Sequence, residues 1–306
     1  MTHHTHAATR TATGTATRTA TGTAAWTERT VVRDGVRLSC RDWGGPGPSV
    51  VLLHGLAGHA GEWDTPARAL SDRYRVVALD QRGHGASDRT PEDLSRAAHV
   101  ADVLAVLEQL DLGPVVLAGQ SLGGHTAMLT AAAHPEHVRA LALVEAGPGG
   151  PNPSIAAEAG RWLDSWPLPF PSREAAAEFL GGGRVGEGWA AGLEERDAQW
   201  WPRFDREVMV ASLAENARRS FWQEWEQVAC PTLLVLGQSS FIPAREVDEL
   251  LARRPGTLAA SVPGTGHDVH LEQPEVLHRL LSEFLDGVDP AAESAPAFAA
   301  AARAAG

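Results

Sequence analysis

Five short, unbroken apolar runs constrain this chain more than any other feature. They fall at residues 49–54, 75–80, 114–118, 140–144 and 232–236, and each is rich in Val and Leu with no polar alternation. Runs of that length and texture predict strands buried on both faces. Helical patterns alternate with them. Residues 94–110 carry a stripe of Val100, Val103, Leu104, Leu107 and Leu110, and residues 122–133 and 274–285 continue the alternation. Strand, helix, strand, helix with doubly buried strands predicts an α/β fold with a mostly parallel sheet sandwiched by helices. Near the start, residues 30–33 and 36–42 flank Asp34-Gly35, the signature of a two-residue hairpin.

The alternation breaks once. Residues 146–228 open on Gly147-Pro148-Gly149-Gly150-Pro151-Asn152-Pro153, a loop signal, and then give short helical patterns interrupted by Gly181-Gly182-Gly183. This interval is expected to be a helical cap inserted into a core made of residues 26–145 and 229–286. Composition sharpens the point. The chain has ten Trp, seven Phe and one Tyr, and seven of the Trp lie between Trp162 and Trp225. Small helices need large side chains to build a core, and rings in a roof also line a water-poor cleft beneath it. Trp166, Trp189 and Trp222 are the expected substrate-binding residues.

With 26 Arg plus Lys against 38 Asp plus Glu, the net charge of −12 argues against nucleic acid or an anionic membrane as partner. Cys40 and Cys230 are too few for a disulfide scaffold or a Cys-type zinc site. The Thr/Ala-rich residues 1–25 and the Ala-rich residues 287–306 read as disordered tails. Arg10 and Arg18 give the first of these a transit-like composition, but no apolar core of a secretory signal follows. No apolar run approaches the ~18 residues that cross a bilayer. The expectation is a cytoplasmic protein acting on a small molecule, without cofactor or metal; monomer and dimer both stay open.

The chemistry concentrates in three places. Gly119-Gln120-Ser121-Leu122-Gly123 follows a buried strand and opens a helix, the context in which a serine sits exposed on a sharp turn. His54-Gly55-Leu56 ends the first buried strand. The amides of Leu56 and Leu122 are the expected oxyanion donors, and His54 is expected to be a structural turn residue. Gly264-Thr265-Gly266-His267-Asp268 puts a histidine in a Gly-rich loop late in the chain, where a serine nucleophile needs its general base. His125, His134, His137 and His270 read instead as surface or helix-end residues.

Taken with Asp80-Gln81-Arg82-Gly83-His84-Gly85-Ala86-Ser87, these motifs and their order resemble the α/β-hydrolase fold superfamily over residues 31–285. The resemblance implies eight strands with the second antiparallel, and a cap after strand six. It makes Arg82 and His84 part of a structural turn after strand four. It also implies an acid after strand seven, usually in Gly-x-x-Asp. Here that segment is Gly237-Gln238-Ser239-Ser240, so Ser240 stands at the position of the Asp. A hydroxyl cannot neutralise an imidazolium. Glu145, at the end of the sixth-strand pattern, is the best replacement, and certain lactonases and haloalkane dehalogenases are similar in carrying the acid there. Asp248 is a weaker candidate, and Asp268 is discounted because side chains adjacent in sequence point apart. The expected function is a serine hydrolase that cleaves a carboxylic ester of an apolar substrate through an acyl-enzyme. The alternatives are a lactonase, a carbon–carbon bond hydrolase or perhydrolase on the same triad, and a non-catalytic receptor of the same fold. Dehalogenases and epoxide hydrolases need Asp where this chain has Ser121.

Overall fold

The structure, a computed structural model, describes residues 26–288. The tail expected at 1–25, and all but the first two residues of that at 287–306, lie outside them. In chain order the strands are β1 (Thr27–Arg33), β2 (Val36–Gly44), β3 (Ser49–Leu53), β4 (Arg75–Leu79), β5 (Val115–Gln120), β6 (Val138–Val144), β7 (Glu194–Arg196), β8 (Gln199–Trp201), β9 (Thr232–Gly237) and β10 (Leu258–Val262). Eight of them form one sheet in the order β1-β2-β4-β3-β5-β6-β9-β10. β2 runs antiparallel to β1 and β4, and every other neighbour pair is parallel. The β1–β2 hairpin turns on Asp34 (φ 50°) and Gly35 (φ 81°), both left-handed as a two-residue turn of this twist demands.

The helices are α1 (Asp64–Leu70), α2 (Arg96–Gln109), α3 (Leu122–Ala133), α4 (Ile155–Asp164), α5 (Arg173–Phe179), α6 (Gly183–Ala190), α7 (Arg206–Ala211), α8 (Ala214–Arg218), α9 (Trp222–Gln227), α10 (Ala244–Arg253), α11 (Val269–Glu272) and α12 (Pro274–Val288). The period of two splits the strands between two cores. Val51, Leu53, Leu117, Leu141 and Leu143 pack beneath Val103 of α2 and Met128 of α3. Val50, Leu52, Val116 and Ala118 pack against Trp63, and against Leu277, Leu281 and Phe284 of α12. Each such Leu, Val or Phe contributes about 1.5–3 kcal/mol by leaving water.

The insert after β6 is helical, with a third core of Leu163, Trp166, Phe170, Ala176 and Met209. It also contains the β7–β8 hairpin, which the sequence reading did not include. Its turn holds Asp197 (φ 51°) and Ala198 (φ 58°) in left-handed backbone without a glycine, so no turn signal marks it. The insert closes at a neck, where the Phe221 N–H donates to the Pro148 carbonyl at 3.0 Å. Beyond the neck, α9 lies on α3 with Phe221 and Trp225 in the core of the sheet. Strands β6 and β9 are parallel neighbours, so the chain must return to the opposite end of the sheet between them, and α9 makes that return. Among the described residues no helix is long and apolar enough to cross a membrane.

Candidate active site

β5 ends at Gln120 and α3 begins at Leu122, which leaves Ser121 alone to reverse the chain. It does so at φ 49°, ψ −117°, a backbone that costs a non-glycine residue about 1–3 kcal/mol. Its N–H donates to Val144 O at 3.0 Å and its carbonyl accepts from the His125 N–H at 3.0 Å. The flanking glycines let α3 press onto the sheet. A Cβ on Gly119 would lie 2.4 Å from the Gly123 carbonyl, and one on Gly123 would lie 2.4 Å from the carbonyl oxygens of Leu53 and His54.

The turn after β3 is held from beneath. His54 is fully buried; its Nδ1 lies 2.7 Å from Gly55 O and its Nε2 accepts the Gln81 N–H at 3.0 Å. The ring is therefore neutral with its proton on Nδ1, and burial pushes it well below the usual histidine range. Gln81 Nε2 returns a bond to His54 O at 2.6 Å, and Thr126 of α3 donates to Gln81 Oε1 at 3.0 Å. The amides of Leu56 and Leu122 have no acceptor among the described residues. His84 and Arg82 sit in the turn after β4: His84 is buried, its pKa pushed down to about 4 by desolvation, and Arg82 forks onto Asp102 at 2.6 and 2.7 Å.

Glu145 stands one residue past β6 at φ 50°, fully buried. Its Oε1 accepts the Gly237 N–H at 2.7 Å, and its Oε2 lies 3.4 Å from His267 Nδ1. His267 is on the loop between β10 and α11. Gly266 N–H donates to both Glu272 carboxylate oxygens at 2.9 and 3.0 Å, which ties the loop to α11. The His267 ring stands edge-on to Phe241 at 4.5 Å. Ser240 only accepts the Ile242 N–H, and Asp248 is exposed on α10. Asp268 accepts the Trp189 indole N–H at 3.2 Å.

Ser121 and His267 line one cavity of about 620 Å³, with Leu56 and Gln120. Gln120 precedes the serine of the motif, and the sequence alone assigns it no role. Its buried amide donates to His267 O at 3.1 Å, and its Oε1 occupies the space a Cβ on Gly55 would take, 2.1 Å away. It braces both the turn at Gly55 and the loop of His267. Its signal was a polar side chain at the end of an otherwise apolar buried strand. Trp162, Phe179, Leu180 and Trp189 roof the cavity.

The three predicted ligand-facing tryptophans separate. Trp189 faces the cavity. Trp166 does not line it; it is 6% exposed, in the insert's own core, edge-on to Trp162 at 5.4 Å and Phe204 at 5.6 Å. Trp222 lies elsewhere, on α9 against the core of the sheet with the Arg253 guanidinium 4.9 Å from its ring, because α9 is the return crossover rather than part of the roof. Two of the histidines expected at the surface or at helix ends are buried. His125 sits on α3 between the sheet and α9, edge-on to Phe221 at 4.4 Å. His270 is 1% exposed, with Nε2 3.2 Å from Glu62 Oε2.

Residues 50–280 match the model of the family described as "Alpha/beta hydrolase family". The chain belongs to the alpha/beta hydrolase family. Among curated members it is similar to the sn-1-specific diacylglycerol lipase ABHD11 of Mus musculus, 31% identical over 78% of this chain and 81% of that protein. Among solved structures, E-2-(acetamidomethylene)succinate hydrolase superposes with TM-score 0.78 at 23% identity, over 85% of this chain and 99% of that one. The enol-lactonase from Burkholderia xenovorans LB400 does so with TM-score 0.69 at 20% identity, over 84% and 99%. At those identities the two structures share the fold of this alpha/beta hydrolase, and its own residues must carry any argument about chemistry.

Proposed function

We propose that this alpha/beta hydrolase is a serine esterase that cleaves carboxylic esters with an apolar body through an acyl-enzyme. The observation that carries the reading is Glu145. A carboxylate with no exposure reaches His267 Nδ1 with one oxygen while Gly237 N–H satisfies the other. A buried carboxylate only accepts, so it keeps the proton on Nδ1 and leaves Nε2 as the base. In this mechanism Ser121 attacks the ester carbonyl as His267 takes its proton. The Leu56 and Leu122 amides stabilise the oxyanion, a contribution worth ~10²–10³ in rate for one donor in comparable sites. The alcohol leaves with the proton from His267, and water then releases the acid by the same route.

The sequence order Ser121, Glu145, His267 and the strand-six acid support a lactonase as the second reading, since a lactone is an ester closed on itself. Free Cys40 and Cys230 suit a reducing compartment and support a cytoplasmic location. A fluorophosphonate probe tests the whole proposal. Rapid labelling that disappears in Ser121→Ala, with turnover of p-nitrophenyl butyrate, is expected; absence of labelling would falsify it and favour the non-catalytic receptor. A γ-lactone assayed beside the ester separates esterase from lactonase.

A further inference from the structure

We infer that the cleft above Ser121 selects substrates by charge sign: it favours an ester bearing a cationic ammonium group over its neutral isostere, and rejects an anionic one, with Asp268 as the specificity-determining residue. The inference rests on the ester-hydrolase reading of Ser121 and adds the class of substrate to it.

Three observations carry it. First, Asp268 lines the cavity and is only partly spoken for. Its Oδ2 accepts the Trp189 indole N–H at 3.2 Å, whereas Oδ1 takes no hydrogen bond and no arginine pairs with the carboxylate among the described residues. A carboxylate beside Trp rings, with one oxygen unbonded and no arginine partner, leaves a place that a ligand cation would complete. Second, no arginine lines the cavity. The chain contains no lysine, so every fixed cation is an arginine. Arg203 lines, with Trp166 and Trp189, a separate void of about 10 Å³. The carboxylates nearest the loop of His267 are Glu145, turned to the ring, and Glu272, turned to the Gly266 and Asp268 amides. Among the residues that line the cleft, Asp268 is the one Asp, Glu or Arg, and no arginine offsets it from within. Third, Trp162 and Trp189 present indole rings to the same space, with centroids 5.7 Å apart and planes at 75°. Indole faces add an electrostatic attraction for an ammonium group that a tert-butyl group of the same shape lacks. A dicarboxylate finds neither a guanidinium nor an ammonium to receive it here.

The test compares charge at constant shape. Because the orientation of the ester is open, the cation is placed on each side in turn: ethyl 4-(trimethylammonio)butanoate against ethyl 5,5-dimethylhexanoate, and butyrylcholine against 3,3-dimethylbutyl butyrate, with monoethyl glutarate as the anion. In at least one pair kcat/KM for the cation should exceed that for the isostere by about tenfold, and the anion should be the poorest substrate. The preference should shrink in 0.5 M NaCl, because screening weakens the attraction. In Asp268→Asn the amide oxygen still accepts the Trp189 N–H, so the ratio within the pair should fall toward one while near-ultraviolet dichroism shows the Trp cluster intact. Trp162→Leu lowers the same ratio by removing a ring and keeping the carboxylate. Neutral isosteres preferred in both pairs, or a cation preference that survives Asp268→Asn undiminished, overturns the inference. If Ser121 labels and the neutral esters turn over, that failure leaves the esterase reading standing.

Discussion

Glu145 holds His267 across the end of the sheet: a carboxylate from the end of β6 reaches 3.4 Å to a ring delivered by the loop after β10, and the β9 backbone braces it through the Gly237 amide. The usual acid position after β9 is filled by Ser240, which caps its own turn. The carboxylate that reaches the ring comes from the end of β6, the neighbour of β9 in the sheet.

Glu145→Gln keeps an acceptor for Gly237 and removes the charge that stabilises the imidazolium. Turnover of p-nitrophenyl butyrate is expected to fall by ~10²–10⁴-fold with little change in thermal midpoint. Asp248→Asn, on the exposed face of α10, should leave kcat within twofold of wild type, about the scatter of a surface change. Intact turnover in the first variant and loss in the second would move the acid to Asp248.

Gln120→Leu removes the bond to His267 O and the polar brace on Gly55 while keeping similar bulk. Displacing the base and the oxyanion turn by a fraction of an ångström should lower kcat by about 10–100-fold, with KM changed less than threefold if binding is set by the roof. A change confined to KM would make Gln120 a substrate contact instead.

Gly123→Ala places a methyl group 2.4 Å from two carbonyl oxygens of the β3 end, and neither carbonyl is the tip of a flexible side chain. Overpacking of this kind should destabilise the fold by about 1–3 kcal/mol, read as a lower urea midpoint. The rate of fluorophosphonate labelling should fall with it, since α3 must lift away from the turn that carries Leu56.

Four buried histidines govern acid stability. Desolvation holds His54, His99 and His125 well below their ordinary value and His84 at about 4. The unfolded chain protonates these rings below about pH 6.5, whereas the folded chain keeps them neutral. Unfolding thus takes up protons, so stability is full above that pH and falls as pH drops through it. Each ring costs about 1.4 kcal/mol per pH unit until its folded pKa is reached. For His84 the window is therefore pH 6.5 down to about 4. Thermal midpoints measured from pH 8 to pH 5 should hold steady and then drop steeply below pH 6.5; a flat profile would mean the rings charge within the fold.

The apolar runs were legible because a doubly buried strand has no polar face to confuse it. The run at 49–54 became Ser49–Leu53, and the helix expected at 122–133 is Leu122–Ala133. Ser121 and Glu145 were locatable for a related reason, since each directly follows such a strand; His267 lies on the loop beyond β10, a mostly exposed strand, and only its Gly-rich setting marked it. What the sequence hid were properties of contact. Trp162, Trp166 and Trp222 have the same composition around them, and only packing decides that the first faces the cavity, the second fills the insert's core and the third rides on α9. Histidine's polarity suggests the surface or a helix end for His125 and His270, yet α3 and α11 are largely covered and both rings are buried. The β7–β8 turn uses Asp197 and Ala198 where glycine is usual, so it left no mark.

The neck between Pro148 and Phe221 makes the roof a graft. Everything from residue 149 to residue 220 hangs from two chain ends already within one hydrogen bond of each other. Glu145 and α9 both lie on the core side of that joint, so a different segment set into it would meet Ser121, Glu145 and His267 already in place. Such a chimera could exchange one substrate range for another in a single recombination, without the stock having to refold around the scion.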